Sequence, residues 1–449
     1  MNAAATLRDE LERLRAAGLL REVSRAVDPR FEVTAVADAA GPGTGLLFGD
    51  VAGRRVAIGT LGSRDQIAAS FGVSRQEVTA AFLDAMQNPL APVEVDDAPV
   101  HEVVLRDDEI DLRRDLPVLT HHERDGGPYI TTGVAVAESR DRSRRNLSYH
   151  RIQVRSARET GMVIVQRHLH RLVEEFDAHD EPAPVAIAIG LDGATRLAAA
   201  SSGSLVPFGF DELGIAGALH GAPVRMVPGV SIPVLVPADA EIVIEGHVLP
   251  GELQPEGPFA EFDGSYESEP ARVFRASALT MRSDAVYQGL TSGSVEQLNI
   301  MGLPNEAVLL GAIRAVVPGA RAVRVSLGGL RKFHAVVSVD KRIEGDGFDA
   351  MVAAFAGHRD LKQVIIVDGD VDPFDDLAVE RAVATWFQAD RDLLVVGGGR
   401  GNPVDRSLRA DGQTARMGLD ATRPVGRPAE EFERAVIPGA AGLDLSAYL

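Results

Sequence analysis

Apolar positions along this chain fall into three successive rhythms. In the first stretch, Leu7, Leu11 and Leu14 repeat at the spacing of one helix face. Thr6 and Asp9 stand near capping-box distance ahead of them, and Gly18 supplies a stop. Ser74-Arg-Gln-Glu77 has the form of a capping box before Val78, Phe82 and Met86, so a second helix is predicted there. Gly45–Leu61, between them, has the pattern of short strands with glycine turns. Residues 1–112 are therefore expected to form a small N-terminal α/β domain.

From 113 to 300 extended runs dominate: Ile130–Ala137, Leu147–Val154, Met162–Gln166, Val185–Ile189, Val234–Val236 and Glu241–Ile244. Glycine- and proline-bearing turns separate them and helical stretches are few, which favours a barrel or sandwich. From 301 to 449 the rhythm alternates. Helices are predicted at Asn305–Val317, Phe348–Phe355 and Leu377–Phe387, and strands at Ala322–Leu327, Phe333–Val339, Val364–Val367 and Leu393–Val396. That alternation predicts a layered α/β sheet domain, followed by a short helix at Pro428–Val436. The fold class expected is α+β, in three domains.

Composition narrows the chemistry. With 449 residues, 45% of them hydrophobic, the core needs no disulfide or metal staple. No cysteine is present, which excludes thiolate zinc sites, Fe–S clusters and a cysteine nucleophile. A net charge of −19 without a basic stretch argues against nucleic acid as a partner. Only Lys332, Lys341 and Lys362 are lysines, and none follows a glycine-rich loop, so there is no Walker A motif. The opening residues lack the order of a signal peptide. The longest uncharged stretches, such as Leu197–Phe210 and Met226–Ala238, are too short for a bilayer. A cytoplasmic protein without membrane partners is the expectation.

Several motifs dissolve on inspection. Gly397-Gly-Gly-Arg-Gly-Asn402 follows a strand but misses the dinucleotide spacing. Asp368-Gly-Asp370-Val-Asp372 opens like a calcium loop, yet Pro373 stands where the turn needs glycine. His168-Leu-His170 would place two imidazoles on one face of a strand, as metal sites do. Two constellations carry more. In Arg144-Arg-Asn-Leu-Ser-Tyr-His-Arg151, Asn146 offers a neutral oxygen and Arg151 a fixed cation. Their odd separation puts them on opposite faces of a regular strand, so convergence requires a bulge or a strand end. In Glu256-Gly-Pro-Phe-Ala-Glu261, Gly-Pro forbids a helix, and two carboxyls on a constrained loop can separate their pKa values.

The second constellation resembles the Glu-Gly-Pro-(Phe/Tyr)-x-(Glu/Asp) signature of the UbiD family of decarboxylases, which use prenylated FMN. Gly126-Gly-Pro-Tyr-Ile-Thr131, Asn146 to Arg151, Gly161 to His168, Asp211-Glu212, Val236 to Gly246 and Gly418-Leu-Asp-Ala-Thr422 resemble further family motifs in family order. The resemblance implies an N-terminal α/β domain (1–112), a central split β-barrel holding flavin and metal (113–300) and a C-terminal α/β oligomerisation domain (301–449). It implies a divalent metal, Mn²⁺ or Mg²⁺, on Asn146, His168 and Glu212, gripping the cofactor phosphate, with K⁺ nearby. Ser148, Arg151 and Arg167 fall among the implied cofactor contacts, and the family's Glu-Arg-Glu trio falls on Glu256, Arg151 and Glu261.

The implied reaction is reversible non-oxidative decarboxylation of an aromatic, heteroaromatic or α,β-unsaturated acid through a covalent prenylated-FMN adduct, releasing CO₂, with Glu261 as proton donor. A flavin prenyltransferase would supply the cofactor, and the assembly would be a homodimer or hexamer. The alternatives are a split-barrel FMN oxidoreductase, for which no nicotinamide fingerprint is found, and a non-catalytic flavin or metal carrier, which would not need both Glu256 and Glu261. Two residues depart from the family pattern: His150 where tyrosine is common, and Arg167 before the metal histidine. No lysine follows Lys362 to take the C-terminal phosphate role, for which Arg416 is a candidate.

Overall fold

Thr6 caps the first helix, Leu7–Ala16, by accepting from the Asp9 N–H at 3.0 Å, and Leu7, Leu11 and Leu14 are buried as the stripe predicts. In the computed structural model, which describes residues 3, 5–201, 203, 205–427 and 429–432 and then 435, 437, 438, 443, 444 and 448, this helix leads into a four-stranded sheet. Leu20–Val23 pairs parallel with Gly45–Val51, which turns back into Arg54–Ile58. The fourth strand, Val286–Gln288, arrives from far along the chain and pairs parallel with Arg54–Ile58. The complete capping box belongs to Ser63 and Gln66, which start an unforeseen helix, Arg64–Phe71. At Ser74 only half of a box forms: Glu77 accepts from the Ser74 N–H, and helix Val78–Gln87 follows without a side-chain cap.

The central sheet has nine strands. Along its main path Tyr129–Ile130, Ile152–Val154, Glu159–Met162, Tyr266–Met281, Ile242–Ala260, Ala183–Ile189, Val134–Glu138 and Arg145–Tyr149 lie side by side, and Val103–Arg106 pairs with Tyr266–Met281. Arg145–Tyr149 closes one end of this path, and Ile152–Val154 stands next to the other end. Only His150 and Arg151 join them, a reach of at most ~11 Å. The sheet must therefore curl on itself into a half-barrel whose two ends meet at these two residues. The predicted run Leu147–Val154 is thus two strands, and Glu241–Ile244 is the start of a 19-residue strand paired with a 16-residue one.

Among the described residues three helices of seven or more residues also lie in this region: His168–Asp177, Gly193–Ala199 and Leu213–His220. His168 and His170 are therefore not on a strand. They occupy the first turn of a helix whose buried residues, His168, Leu169, Leu172 and Val173, follow the 3.6 period. His168 turns inward, while His170 pairs with Glu174 at 3.2 Å.

The C-terminal unit opens with Val295–Val316, a 22-residue helix that runs through Pro304. It begins ten residues before the predicted start at Asn305. Burial of Leu298, Ile300, Leu303, Ala307 and Leu310 along the helix outweighs the ~3 kcal/mol a helical proline costs. Behind it stand five strands in the order Ala320–Val325, His334–Val339, Gln363–Asp368, Gln413–Ala421 and Leu393–Arg400, with helices Asp346–Gly357 and Asp376–Trp386. Of the helix predicted at Pro428–Val436, Ala429–Phe432 forms a 3₁₀ turn and Pro428, Glu433, Arg434 and Val436 lie outside the described residues. No helix among the described residues is long and apolar enough to cross a membrane.

Candidate active site

Arg151 occupies the junction where the half-barrel closes. The strand ends at Tyr149, so the chain leaves pleated geometry, and the odd spacing from Asn146 no longer sends the two side chains apart. Arg151 gives Nη2 (2.8 Å) and Nε (3.2 Å) to Glu256 Oε2, and Nη1 to Glu261 Oε1. The two carboxylates do not share a loop, as the Gly-Pro step suggested. Glu256 sits in the long strand opposite Glu269, a register shift follows at Gly257–Pro258, and Glu261 comes just past the strand end at Ala260. Gly257 has φ +106°, which an L side chain rarely adopts. A Cβ on Gly126 would stand 2.2 Å from the Gly257 carbonyl oxygen, so this approach also requires glycine.

The trio is unevenly solvated. Side-chain exposure is 0% for Glu256, 9% for Arg151 and 21% for Glu261. Burial pushes the Glu261 carboxyl above the ordinary glutamate range, against the opposing pull of Arg151. Burial also works against the Arg151 charge, and Glu256 and Glu261 more than offset it, so its pKa rises.

Asn146, Glu212 and His168 meet beside this trio. Glu212 Oε1 lies 2.9 Å from Asn146 Nδ2 and 3.9 Å from His168 Nδ1, and Glu212 Oε2 accepts from the Leu147 N–H at 2.9 Å. All three side chains are buried. Neighbouring Asp211 is matched by Arg145 at 2.7 Å, whereas Glu212 has no arginine or lysine partner among the described residues. A buried carboxylate without a cationic side chain, beside an imidazole and an amide, suits a divalent cation of the Mn²⁺ or Mg²⁺ type. No group of three His, Cys, Asp or Glu is placed for a metal among the described residues, so Asn146 is needed as the third donor. Ser148 joins this cluster to His150, its Oγ lying 3.1 Å from Asn146 Oδ1 and 2.9 Å from His150 Nε2.

A cavity of about 400 Å³ opens at the junction. Arg151 and Glu261 reach it together with Arg167, and Val163, Leu290, Ile300 and Met301 give it apolar walls. Arg167 stands at the N-terminus of the helix that carries His168, exposed toward this space. The eight residues singled out from the sequence thus form two clusters, linked along the chain where His150 precedes Arg151 and Arg167 precedes His168.

Two neighbours escaped the sequence reading. Tyr129 packs its ring 4.5 Å from that of Phe259, and burial together with Glu256 drives its phenol pKa up. Its motif, Gly126 to Thr131, is legible in the sequence, but the place of Tyr129 beside Glu256 is not. The Lys332 ammonium lies 5.1 Å from the centroid of Phe262, a cavity-lining ring, and nothing local to residue 332 signals that approach. Arg416 is committed elsewhere, donating to the Phe355 and Arg359 carbonyls at 2.9 and 2.6 Å.

Three family models match consecutive parts of the chain. They describe 3-octaprenyl-4-hydroxybenzoate carboxy-lyase: its N-terminal domain (residues 11–86), its Rift-related domain (92–295) and its C-terminal domain (298–421). Among curated relatives, the anhydromevalonate phosphate decarboxylase of Methanosarcina mazei is 36% identical over 96% of this chain and 99% of its own. The gallate decarboxylase of Lactiplantibacillus plantarum is 33% identical over 88% and 86%. Among solved structures, the UbiD-class enzyme HmfF from Pelotomaculum thermopropionicum, in complex with FMN, superposes with a TM-score of 0.93. It is 39% identical and covers 99% of this chain and 100% of its own. An evolved dimeric form of that enzyme, in complex with prenylated FMN, gives 0.89 at 37% identity over 99% and 100%.

Proposed function

The chain belongs to the UbiD family of carboxy-lyases, and from that membership we propose that it catalyses reversible, non-oxidative decarboxylation of an aromatic, heteroaromatic or α,β-unsaturated carboxylic acid. The observation that carries this reading is the Glu256–Arg151–Glu261 trio, in which Arg151 and Glu261 line the cavity and Glu261 is pushed toward its acid form. The cofactor proposed is prenylated FMN, with Mn²⁺ or Mg²⁺ held by Asn146, His168 and Glu212 against its phosphate, and K⁺ nearby. When bound, prenylated FMN supplies the electron sink that a carbanion on an sp² carbon otherwise lacks.

The chain's own residues have three tasks. Arg151 orients the substrate carboxylate through its planar fork, and Glu256, taking Nε and Nη2, fixes the plane in which that fork lies. Val163, Leu290, Ile300 and Met301 keep water from the reacting carbon. Glu261 returns the proton: Oε1 is engaged by Arg151 Nη1, which leaves Oε2 to carry a proton to the carbon that has lost CO₂. A carrier that only binds flavin has no need of this raised carboxyl.

The C-terminal unit is proposed as a homodimer surface. Leu393–Arg400 is the outer strand of its sheet, and Val395 on it is 63% exposed.

Co-production with a flavin prenyltransferase, followed by a screen of aryl, heteroaryl and aliphatic unsaturated acids for CO₂ release, tests the reading. Release that depends on the prenylated cofactor is expected. Full activity with plain FMN, or a requirement for NAD(P)H, would overturn it.

A further inference from the structure

Asn146, Ser148 and His150 alternate along one strand and its end, so their side chains share a face, and their hydrogen bonds form a chain that ends on the Val163 carbonyl. The protons in that chain can be counted. The Val163 oxygen only accepts, and at 2.9 Å it requires a proton on His150 Nδ1. Burial, aided by nearby Arg167 and opposed by the Val163 carbonyl, lowers the His150 pKa to about 4, so the ring is neutral and Nε2 is bare. Nε2 accepts from Ser148 Oγ at 2.9 Å.

Ser148 has one proton. Once that proton points to Nε2, Ser148 Oγ can only accept from Asn146 at 3.1 Å. The nitrogen and oxygen of a carboxamide differ in shape only by their hydrogens, so the count decides which end lies where. Nδ2 belongs toward Ser148 and Oδ1 toward Glu212, across a gap of 2.9 Å, which gives up only a long 3.3 Å contact with the Leu147 carbonyl. Two oxygens facing each other at that separation need a cation or a proton between them. His168 Nδ1 stands 3.9 Å from the same Glu212 oxygen.

We propose that His150 and Ser148 are positioning residues: the Nδ1–H tautomer of His150 turns the Asn146 amide, through Ser148, so that its oxygen faces Glu212 and presets the divalent-cation site. This rests on the metal assignment made above.

The test uses the full chain and Mn²⁺ alone, titrated by electron paramagnetic resonance, in the wild type, Ser148→Ala, Ser148→Thr and His150→Phe. Loss of a group that orients a metal ligand weakens affinity by roughly 10–100-fold. That loss is expected in Ser148→Ala and His150→Phe, with Ser148→Thr close to wild type because its hydroxyl restores the relay. The ¹⁵N spectrum of histidine-labelled protein, with His150 assigned through His150→Phe, should show a protonated Nδ1 and a bare Nε2. Wild-type Mn²⁺ binding with Ser148→Ala unchanged, or a protonated Nε2 on His150, would overturn the proposal alone. Failure of the wild type to bind Mn²⁺ would overturn the metal assignment as well. Should His150→Phe not fold, the serine pair still decides the matter.

Discussion

Glu261 and Glu256 flank one arginine in different surroundings, and the difference separates their tasks. Glu261→Gln keeps the shape and the contact with Arg151 but cannot donate a carboxylic proton. Turnover should fall by roughly 10²–10⁴-fold while bound flavin and metal per chain stay unchanged. Wild-type activity should decline as pH rises through the raised Glu261 pKa, above the usual glutamate range, because the acid form is lost there. A pH–rate profile checks this, and the limb should be missing in Glu261→Gln. Glu10 offers a second residue-scale test. It is buried against the Gly193 N–H and Ser70 Oγ, 4.0 Å from Arg196, and burial pushes its pKa from 4.5 up to about 7, partly opposed by Arg196. Between those values the folded chain keeps a proton the unfolded chain has released, so stability falls as pH rises across that window. At ~1.4 kcal/mol per pKa unit this amounts to ~3 kcal/mol at most. Glu10→Gln, neutral throughout, should gain stability relative to wild type by up to that amount between pH 5 and 8 in urea unfolding. An unchanged difference would refute the assignment.

At the scale of elements, the site depends on a long hairpin that is regular where it packs and irregular where it works. Register shifts at Glu245/Gly246, Val248/Leu253 and Glu256/Phe259 bend the Ile242–Ala260 strand, and the last of them aims Glu256 and Glu261 at the same guanidinium. The bend is seated on Gly126, whose N–H donates to the Pro258 carbonyl at 2.7 Å. In Gly126→Ala the new methyl collides with the Gly257 backbone, which cannot rotate away. A loss of ~1–3 kcal/mol in stability is expected, together with turnover lower by ~10²-fold from displaced carboxylates. Gly328→Ala, where nothing stands within 4 Å of the added carbon, is the control and should melt and turn over like wild type.

Across the whole molecule, the three units share strands and helix faces. Val286–Gln288 returns to complete the N-terminal sheet, and the helix Val295–Val316 leads from the cavity wall into the C-terminal sheet. That sheet ends in the strand Leu393–Arg400, which carries exposed Leu393, Val395 and Val396 and whose outer edge pairs with no strand among the described residues. With a second copy covering this edge, light scattering should report a dimer at micromolar concentration. Val395→Lys, which places a charge on the edge, should shift the protein toward monomer without lowering its melting temperature. A dimer that survives the lysine would place the interface elsewhere.

Local rules made much of this protein legible in the linear chain. The Leu7–Leu11–Leu14 stripe, the alternation beyond residue 301 and the ordered motifs each depend on neighbours a few positions away. So did the recognition that Asn146 and Arg151 could converge only through a break in a strand. Other features had no local cause. Gln413–Ala421 carries no apolar run and becomes a strand because Gln363–Asp368 and Leu393–Arg400 offer hydrogen bonds on both sides. The helix at Val295–Val316 passes through Pro304 because burial against distant elements outweighs a local penalty. Glu256 and Glu261 read as a loop pair in the sequence, since Gly-Pro breaks a helix but does not say that a bulged strand will follow. The proton count through His150 needs the Val163 carbonyl, thirteen residues away, which the pairing of Ile152–Val154 with Glu159–Met162 brings within 2.9 Å. Short-range sterics and periodicity are written into neighbouring residues. Which backbone satisfies a buried donor, and how far burial shifts a carboxyl, depends on chain segments that meet only once strands have paired and the sheet has curled.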